Sequence, residues 1–262
     1  MCLIAFALGQ HPDYPLVVAA NRDEFHQRPT AAMDWWPEPG VLAGRDLQAG
    51  GTWLAVTADG RVAAVTNVRE GTPEPARLSR GELPLQALAS TEAIRTHLAQ
   101  HGTDYGGFNL VVLGTGGRLD QGWYYSNRDA HPGRQLHRAS YGLSNHLLQS
   151  PWPKLLRLRQ AVMTTLMLAP ADDTSGLHQR LIRPLQDQTP APDHALPDTG
   201  VGLATERFLS SPFIVGEHYG TRATTIVTVR RDGEVTVTEQ SWRPDGHPDQ
   251  RRQFCWQREP LI

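Results

Sequence analysis

The sequence contains only two cysteines, Cys2 and Cys255, among its 262 residues. Two thiols are too few for a disulfide framework or for a multi-thiolate metal site. The 11 histidines are spread along the chain, and we expect neither a metal site nor a cofactor. Two free thiols are typical of a protein in a reducing compartment, which makes the cytoplasm the expected location.

The sequence also lacks long apolar runs and an excess of charge of one sign. No apolar run approaches the roughly 18 residues that a membrane span needs, and residues 3–8 have neither a basic segment before them nor a cleavage site after them. The 25 Lys and Arg nearly balance the 27 Asp and Glu. We therefore expect an unexported protein without a membrane span or a nucleic-acid partner, whose oligomeric state the sequence leaves open.

What is present is the composition of a globular protein, with 39% hydrophobic and 20% charged residues. The 24 Gly and 20 Pro are spread between short apolar segments, a pattern typical of an antiparallel β protein. The Pro-rich stretch at residues 189–200 is too short for an interdomain linker. We therefore expect a single domain over residues 1–262.

The first hairpin places two candidate residues opposite each other. Residues 2–8 and 16–20 are apolar on both alternating faces, and turn formers separate them. A loop centred near Pro12 makes antiparallel partners sum to about 24 in residue number. This register predicts that Cys2 lies opposite Arg22.

Further segments complete the predicted fold. Helical periodicity covers residues 82–101, where Ser90 and Thr91 offer an N-cap that divides two helices, and residues 151–188. Strands are predicted for GTWLAVT and RVAAVTN around a two-residue Asp59-Gly60 turn, and for FNLVVLG, RLDQGWYYSN, RQLHRASYGLSN, ATTIVTV and EVTVTEQSW. Strands that are apolar on both faces, with helical segments between them, predict an α+β fold, a four-layer αββα sandwich of two stacked antiparallel sheets.

Cys2 is a candidate N-terminal nucleophile, because methionine aminopeptidases remove Met1 ahead of a small residue. The mature chain then carries a thiol and a free α-amine on one residue. Their ordinary pKa values, about 8.5 and about 8, are close enough for the amine to take the thiol proton at little cost. The alternative is a small buried residue at the start of an edge strand.

Arg22 and Asp23 end the second strand, next to the expected position of Cys2. A guanidinium there favours the thiolate over the thiol. Asp23 either holds the Cys2 ammonium or orients Arg22. The alternative is a solvated turn with ordinary surface ion pairs.

Asn67 and Asn145 each end a predicted strand, and Arg222 begins the last hairpin. The two amides are donors that cannot ionise, and an oxyanion hole requires paired donors of this kind. The alternative for each asparagine is a turn-favouring residue that terminates its strand. The alternative for Arg222 is an ordinary surface arginine.

The sequence resembles the NRDE proteins, also called the transport and Golgi organisation 2 family. The resemblance rests on motifs that occur in the expected order, namely MCLI, AANRDEFHQRP, GRDLQAGGTWLAV, VTNVRE, SRGEL, GGFNLVV, YGLSN and YGTRATT. That family is similar to the N-terminal nucleophile hydrolases, among them penicillin V acylase and the bile salt hydrolases. The resemblance implies a site formed by Cys2, Arg22, Asp23, Asn67, Asn145 and Arg222.

The resemblance implies hydrolysis of a non-peptide amide or an acyl thioester through an acyl-enzyme at Cys2. Arg22 and Arg222 are then expected to anchor an anionic substrate. Links within the family to lipid, acyl-coenzyme A and haem handling leave a second hypothesis, in which the same pocket binds haem or an acyl ligand without turnover. A scaffold without a small-molecule site is a third interpretation.

Overall fold

Two antiparallel β-sheets lie at the centre of the computed structural model, which describes residues 2–71 and 76–258. The strands are β1 (Cys2–Leu8), β2 (Leu16–Phe25), β3 (Thr30–Trp36), β4 (Val41–Asp46), β5 (Leu54–Thr57), β6 (Val62–Asn67), β7 (Phe108–Leu113), β8 (Gly122–Ser126), β9 (Arg134–Leu136), β10 (Ala139–Leu143), β11 (Tyr219–Val229), β12 (Glu234–Trp242) and β13 (Pro248–Gln257). The α-helices of these residues are α1 (Leu83–Ala89), α2 (Thr91–His101), α3 (Pro153–Met167), α4 (Thr174–Leu185) and α5 (Leu203–Phe208).

The sheets and helices form four layers. One sheet has the strand order β10-β1-β2-β11-β12-β13, and the other runs from β3 to β9 in chain order. Helices α3 and α4 pack on the outer face of the first sheet, and α1 packs on the outer face of the second beside α2. The predicted α+β class and αββα layering are therefore confirmed.

The alternation of side chains along β1 explains why its sequence is apolar throughout. Ile4 and Phe6 point into the core between the two sheets, whereas Leu3 and Ala5 point into the core beneath α3 and α4. All four side chains are buried. A strand with a core on each side needs apolar residues at every position, so period-2 patterning disappears from the sequence.

The register of the first hairpin is the predicted one. Cys2 pairs with Arg22, and Leu8 pairs with Leu16 at the other end of the hairpin. The second hairpin has the predicted strands, but its loop has three residues and not two. The Thr57 N–H donates to the Arg61 carbonyl (3.0 Å), and Gly60 takes a φ of 83° in the left-handed region. A turn that ends in a left-handed glycine matches a three-residue loop.

The predicted division of the first helical segment is confirmed, because the Ser90 hydroxyl accepts a hydrogen bond from the Ala93 N–H (3.1 Å) and caps α2. The predicted apolar face of α3 is also buried, at Leu155, Leu158, Val162 and Leu166. None of the helices within the described ranges is long and apolar enough to cross a bilayer.

One predicted strand was wrong, and several elements were missed. The segment RQLHRASYGLSN is two strands, β9 and β10, which belong to different sheets. The chain crosses between sheets at His137 and Arg138, where no Gly or Pro marks a break. Strands β3, β4 and β13 and helix α5 were not predicted; β13 is an edge strand with mostly exposed side chains, so it has no apolar signature.

Candidate active site

A cavity of about 540 Å³ opens at the end of the two sheets where the first hairpin finishes. Five of the six candidate residues line it, namely Cys2, Arg22, Asp23, Asn67 and Arg222. Antiparallel strands that finish at one edge bring residues distant in sequence to the same cavity wall. The pocket wall thus joins residues from β1, β2, β6 and β11.

Arg22 lies directly opposite Cys2 and is itself buried, with 7% of its side chain exposed. Its Nη1 donates to the Thr30 hydroxyl (3.3 Å), and its Nη2 lies 3.6 Å from the Glu24 carboxylate. These contacts hold the guanidinium on the pocket wall. Directly paired residues share one face of a sheet, so Arg22 supplies positive charge on the side of the Cys2 thiol.

The Asp23 side chain lies on the face of the sheet opposite to Arg22, where it contacts β11. Its carboxylate accepts a hydrogen bond from the Thr221 hydroxyl (2.7 Å), which pairs with it across β2 and β11. Burial raises the pKa of Asp23, while the positive charges of Lys154 and Arg69 act in the opposite direction. Asp23 and Arg22 therefore face different neighbours although they are adjacent in sequence.

Arg222 occupies a β-bulge, since the register between β11 and β2 shifts between Thr221 and Ala223. Its Nη1 donates to the backbone carbonyls of Phe25, His26 and Arg28 at 3.0, 3.2 and 3.3 Å. A bulge redirects one side chain out of the regular alternation. Arg222 consequently fastens the turn between β2 and β3, beside the pocket that Phe25 and Arg28 also line.

Asn67 and Asn145 form a pair, but only Asn67 lines the pocket. Asn145 is fully buried, and its Nδ2 donates to the Asn67 backbone carbonyl (3.0 Å). The neighbouring Ser144 hydroxyl donates to the Cys2 carbonyl (3.3 Å). The segment at residues 144–145 therefore holds both Cys2 and Asn67 in place, while the Asn67 side chain makes no hydrogen bond to any described residue.

The Cys2 thiol is buried, with 6% of the residue exposed. Burial raises its pKa to about 11; Asp23 adds to the increase, and Arg22 opposes it. A thiol with this pKa is protonated near neutral pH and needs a base before it becomes a nucleophile. Met1, whose removal is predicted to supply that base, lies outside the described residues.

A buried charged cluster that sequence reasoning missed lies behind the pocket. Arg69 and Glu206 form an ion pair whose side chains are only 4% and 3% exposed. Arg69 also stacks over the Trp152 ring at 4.7 Å and donates its backbone N–H to the Asn145 carbonyl (2.7 Å). Burial lowers the pKa of Lys154 to about 8, and its Nζ donates to the Leu209 carbonyl (2.8 Å).

Glu239 is a further pocket residue that sequence reasoning missed. It is 3% exposed and lines the cavity from β12. The sequence carries a signal for it, because Val235, Val237 and Glu239 alternate on one face of the strand and both valines are in the core between the sheets. A carboxylate at the next position of that series is expected to point inward.

Two histidines on α2 have a spacing found in helical metal sites, since His97 and His101 are four residues apart. His97 hydrogen-bonds to the Tyr105 hydroxyl (2.8 Å), and His101 contacts the Asp104 carboxylate (3.1 Å). Within residues 2–71 and 76–258, no group of three or more His, Cys, Asp or Glu residues is arranged to hold a metal ion.

A family model described as Transport and Golgi organisation 2 matches residues 1–244, which include every candidate site residue. The chain belongs to this family. Among family members, the Transport and Golgi organization 2 homolog of Mus musculus is 34% identical over 258 residues, covering 92% of this chain and 93% of the relative. The Homo sapiens homolog is 35% identical with the same coverage, and the Drosophila melanogaster protein is 28% identical over 267 residues, or 92% of each chain.

One solved structure similar to this member of the Transport and Golgi organisation 2 family is the Caenorhabditis elegans ortholog of N-acylethanolamine-hydrolyzing acid amidase. The two share 9% sequence identity with a TM-score of 0.40, over 86% of this chain and 92% of that chain. A likeness at this level has no bearing on the activity of the present chain.

Proposed function

We propose that the chain is an N-terminal cysteine hydrolase that cleaves a non-peptide amide or an acyl thioester through an acyl-enzyme. The observation that carries this proposal is the pairing of Cys2 with Arg22 on the wall of a 540 Å³ pocket. Asn67 and Arg222 line the same pocket. The arrangement brings a thiol, a fixed positive charge and an amide donor to one cavity.

The proposed reaction starts when Met1 is removed and the α-amine of Cys2 becomes free. This amine takes the thiol proton, and the sulfur attacks the substrate carbonyl carbon. The Asn67 amide donates a hydrogen bond to the oxygen that becomes negative. The protonated amine then gives its proton to the leaving nitrogen or sulfur, and water releases the acid product from the thioester.

The charged residues have distinct proposed roles. Arg22 favours the thiolate, which offsets the burial that raises the thiol pKa to about 11. Asp23 accepts its hydrogen bond from Thr221, whereas Arg22 contacts Thr30 and Glu24. This division supports Asp23 as the group that holds the Cys2 ammonium. Arg22 and Arg222 together anchor an anionic part of the substrate.

The test is a panel of acyl amides and acyl thioesters, with product release measured for the wild type, Cys2→Ala and Cys255→Ala. Alanine is also a small second residue, so Met1 removal is expected in all three proteins, and intact mass verifies it. The proposal predicts activity in the wild type and Cys255→Ala and none in Cys2→Ala. Equal turnover by Cys2→Ala refutes it.

A second candidate function, binding of haem or an acyl ligand without turnover, is favoured by one observation. In a chain that keeps Met1, a thiol with a pKa of about 11 is not a nucleophile near neutral pH. No histidine is among the described residues that line the pocket, so Cys2, losing its thiol proton when it binds, is the group there that suits haem iron. A haem titration tests this function, which requires a spectral shift that Cys2→Ala loses. For either function, we propose that the protein is located in the cytoplasm.

A further inference from the structure

Glu239 lines the pocket at a distance from Cys2, three strands away in the same sheet. The strands β1, β2, β11 and β12 lie side by side, and Cys2, Arg22, Ala223 and Ser241 pair in one row across them. Glu239 is two residues before Ser241, on the same face of β12. With about 4.8 Å between strands, the Cα atoms of Cys2 and Glu239 are roughly 16 Å apart.

One oxygen of Glu239 has a structural role. Its Oε1 accepts a hydrogen bond from the Met33 N–H (2.6 Å), at the irregularity in β3 where the ladder with β4 is broken. Arg252, which pairs directly with Glu239, donates to the Met33 carbonyl (3.1 Å). Glu239 and Arg252 thus bind the backbone N–H and carbonyl groups of Met33 on the opposite sheet.

The other oxygen remains available to a ligand. Oε2 makes no hydrogen bond to any described residue, although the side chain is buried and lines the cavity. It lies 3.6 Å from the position that a Cβ at Gly44 would take, and Gly44 also lines the cavity. Burial raises the pKa of Glu239, but Arg252 and Arg22 favour the ionised form. An oxygen that faces the cavity without a protein donor is open to a hydrogen-bond donor of a ligand.

We propose that Glu239 is a specificity-determining residue that accepts a hydrogen bond from an N–H or O–H group of the substrate, far from the scissile carbonyl. The inference rests on the proposed function, because it takes Cys2 as the point of attack. It narrows the substrate class to an extended acyl compound with a donor group about 10–16 Å from that carbonyl. An ammonium, an amide and a hydroxyl share this donor chemistry.

Alkylation of Cys2 tests the proposal without requiring turnover. The probes are N-iodoacetyl amides with spacers of four to fourteen bonds that end in an ammonium, a hydroxyl or a methyl group. Labelling rates are measured by intact mass at pH 8 in a Cys255→Ser background. The matched variants are Glu239→Gln, whose amide oxygen can still accept from Met33, and Glu234→Gln on the same strand outside the pocket.

The wild-type background is expected to react at least about tenfold faster with a donor-ended probe than with the methyl-ended probe, at spacers of about nine to twelve bonds. Glu239→Gln is expected to lose the preference for the ammonium, and Glu234→Gln to retain it. If the wild-type background instead prefers the hydroxyl-ended probe and Glu239→Gln loses that preference, the natural donor is neutral.

Equal rates for all three ends in the wild-type background overturn the proposal, as does an ammonium preference that survives in Glu239→Gln. If Glu239→Gln fails to fold, Glu239→Asp takes its place, and the favoured spacer should lengthen by about one bond. If the protein hydrolyses no compound of the substrate panel but still shows the probe preference, the proposed function is refuted and the proposed role of Glu239 in binding a donor group is not.

Discussion

The substitution Glu206→Gln tests whether the buried ion pair behind the pocket is essential for stability. Glu206 and Arg69 have side chains that are 3% and 4% exposed, so solvent screens their interaction little. Loss of the carboxylate charge leaves the Arg69 guanidinium buried without its ion-pair partner, which costs about 3–5 kcal/mol. At about 2–4 °C per kcal/mol for a chain near this size, the melting temperature is expected to fall by about 6–20 °C.

Differential scanning calorimetry measures this shift. Arg207→Gln is the matched control, since Arg207 is the next residue on α5 and pairs with Asp193 at the surface. Its melting temperature is expected to stay close to that of the wild type. The double variant Arg69→Met with Glu206→Leu should recover part of the loss, because it removes both buried charges. A shift for Glu206→Gln no larger than that of the control refutes the reasoning.

Three further predictions concern backbone packing, a buried histidine and the thiol. A Cβ at Gly51 would overlap the Gly81 carbonyl, so Gly51→Ala should destabilise the fold by about 1–3 kcal/mol in urea unfolding. A Cβ at Gly106 would meet no atom closer than 3.5 Å, so the control Gly106→Ala should change the stability less. Burial lowers the pKa of His178 to about 3, so between pH 6.5 and 3 only the unfolded chain gains a proton at this residue. The free energy of unfolding therefore decreases as the pH is lowered. Between pH 7 and 5, the wild type should lose about 2 kcal/mol more of it than His178→Asn. In the Met1-retaining form, the rate of Cys2 alkylation by iodoacetamide should rise about tenfold per pH unit from pH 7 to 10, and a plateau below pH 9 contradicts the raised pKa.

The pairing of Cys2 with Arg22 could be predicted from the sequence because both follow from local signals. Residues 2–8 and 16–20 are apolar without interruption, and the turn formers between them fix the centre of the hairpin. The Ser90 cap is equally local, since the hydroxyl and the N–H that it accepts are three residues apart. Signals of this kind need no knowledge of the tertiary contacts.

The charged cluster and the pocket wall depend on contacts between distant parts of the chain. Arg69 and Glu206 are 137 residues apart, and each looks like an ordinary surface charge in its own segment. Lys154 begins a helix near a proline, where a solvent-exposed lysine is the usual interpretation. Glu239 is the exception, because its alternation with Val235 and Val237 along one strand is a local pattern that indicates an inward position.

The most direct test of the central claim is a rapid-quench mass measurement of the protein during incubation with a compound that it hydrolyses. The account predicts an acyl adduct on the peptide that begins with Cys2, a free cysteine at the N-terminus and no adduct in Cys2→Ala. Turnover by protein that still carries Met1, or an adduct on any other residue, would contradict it.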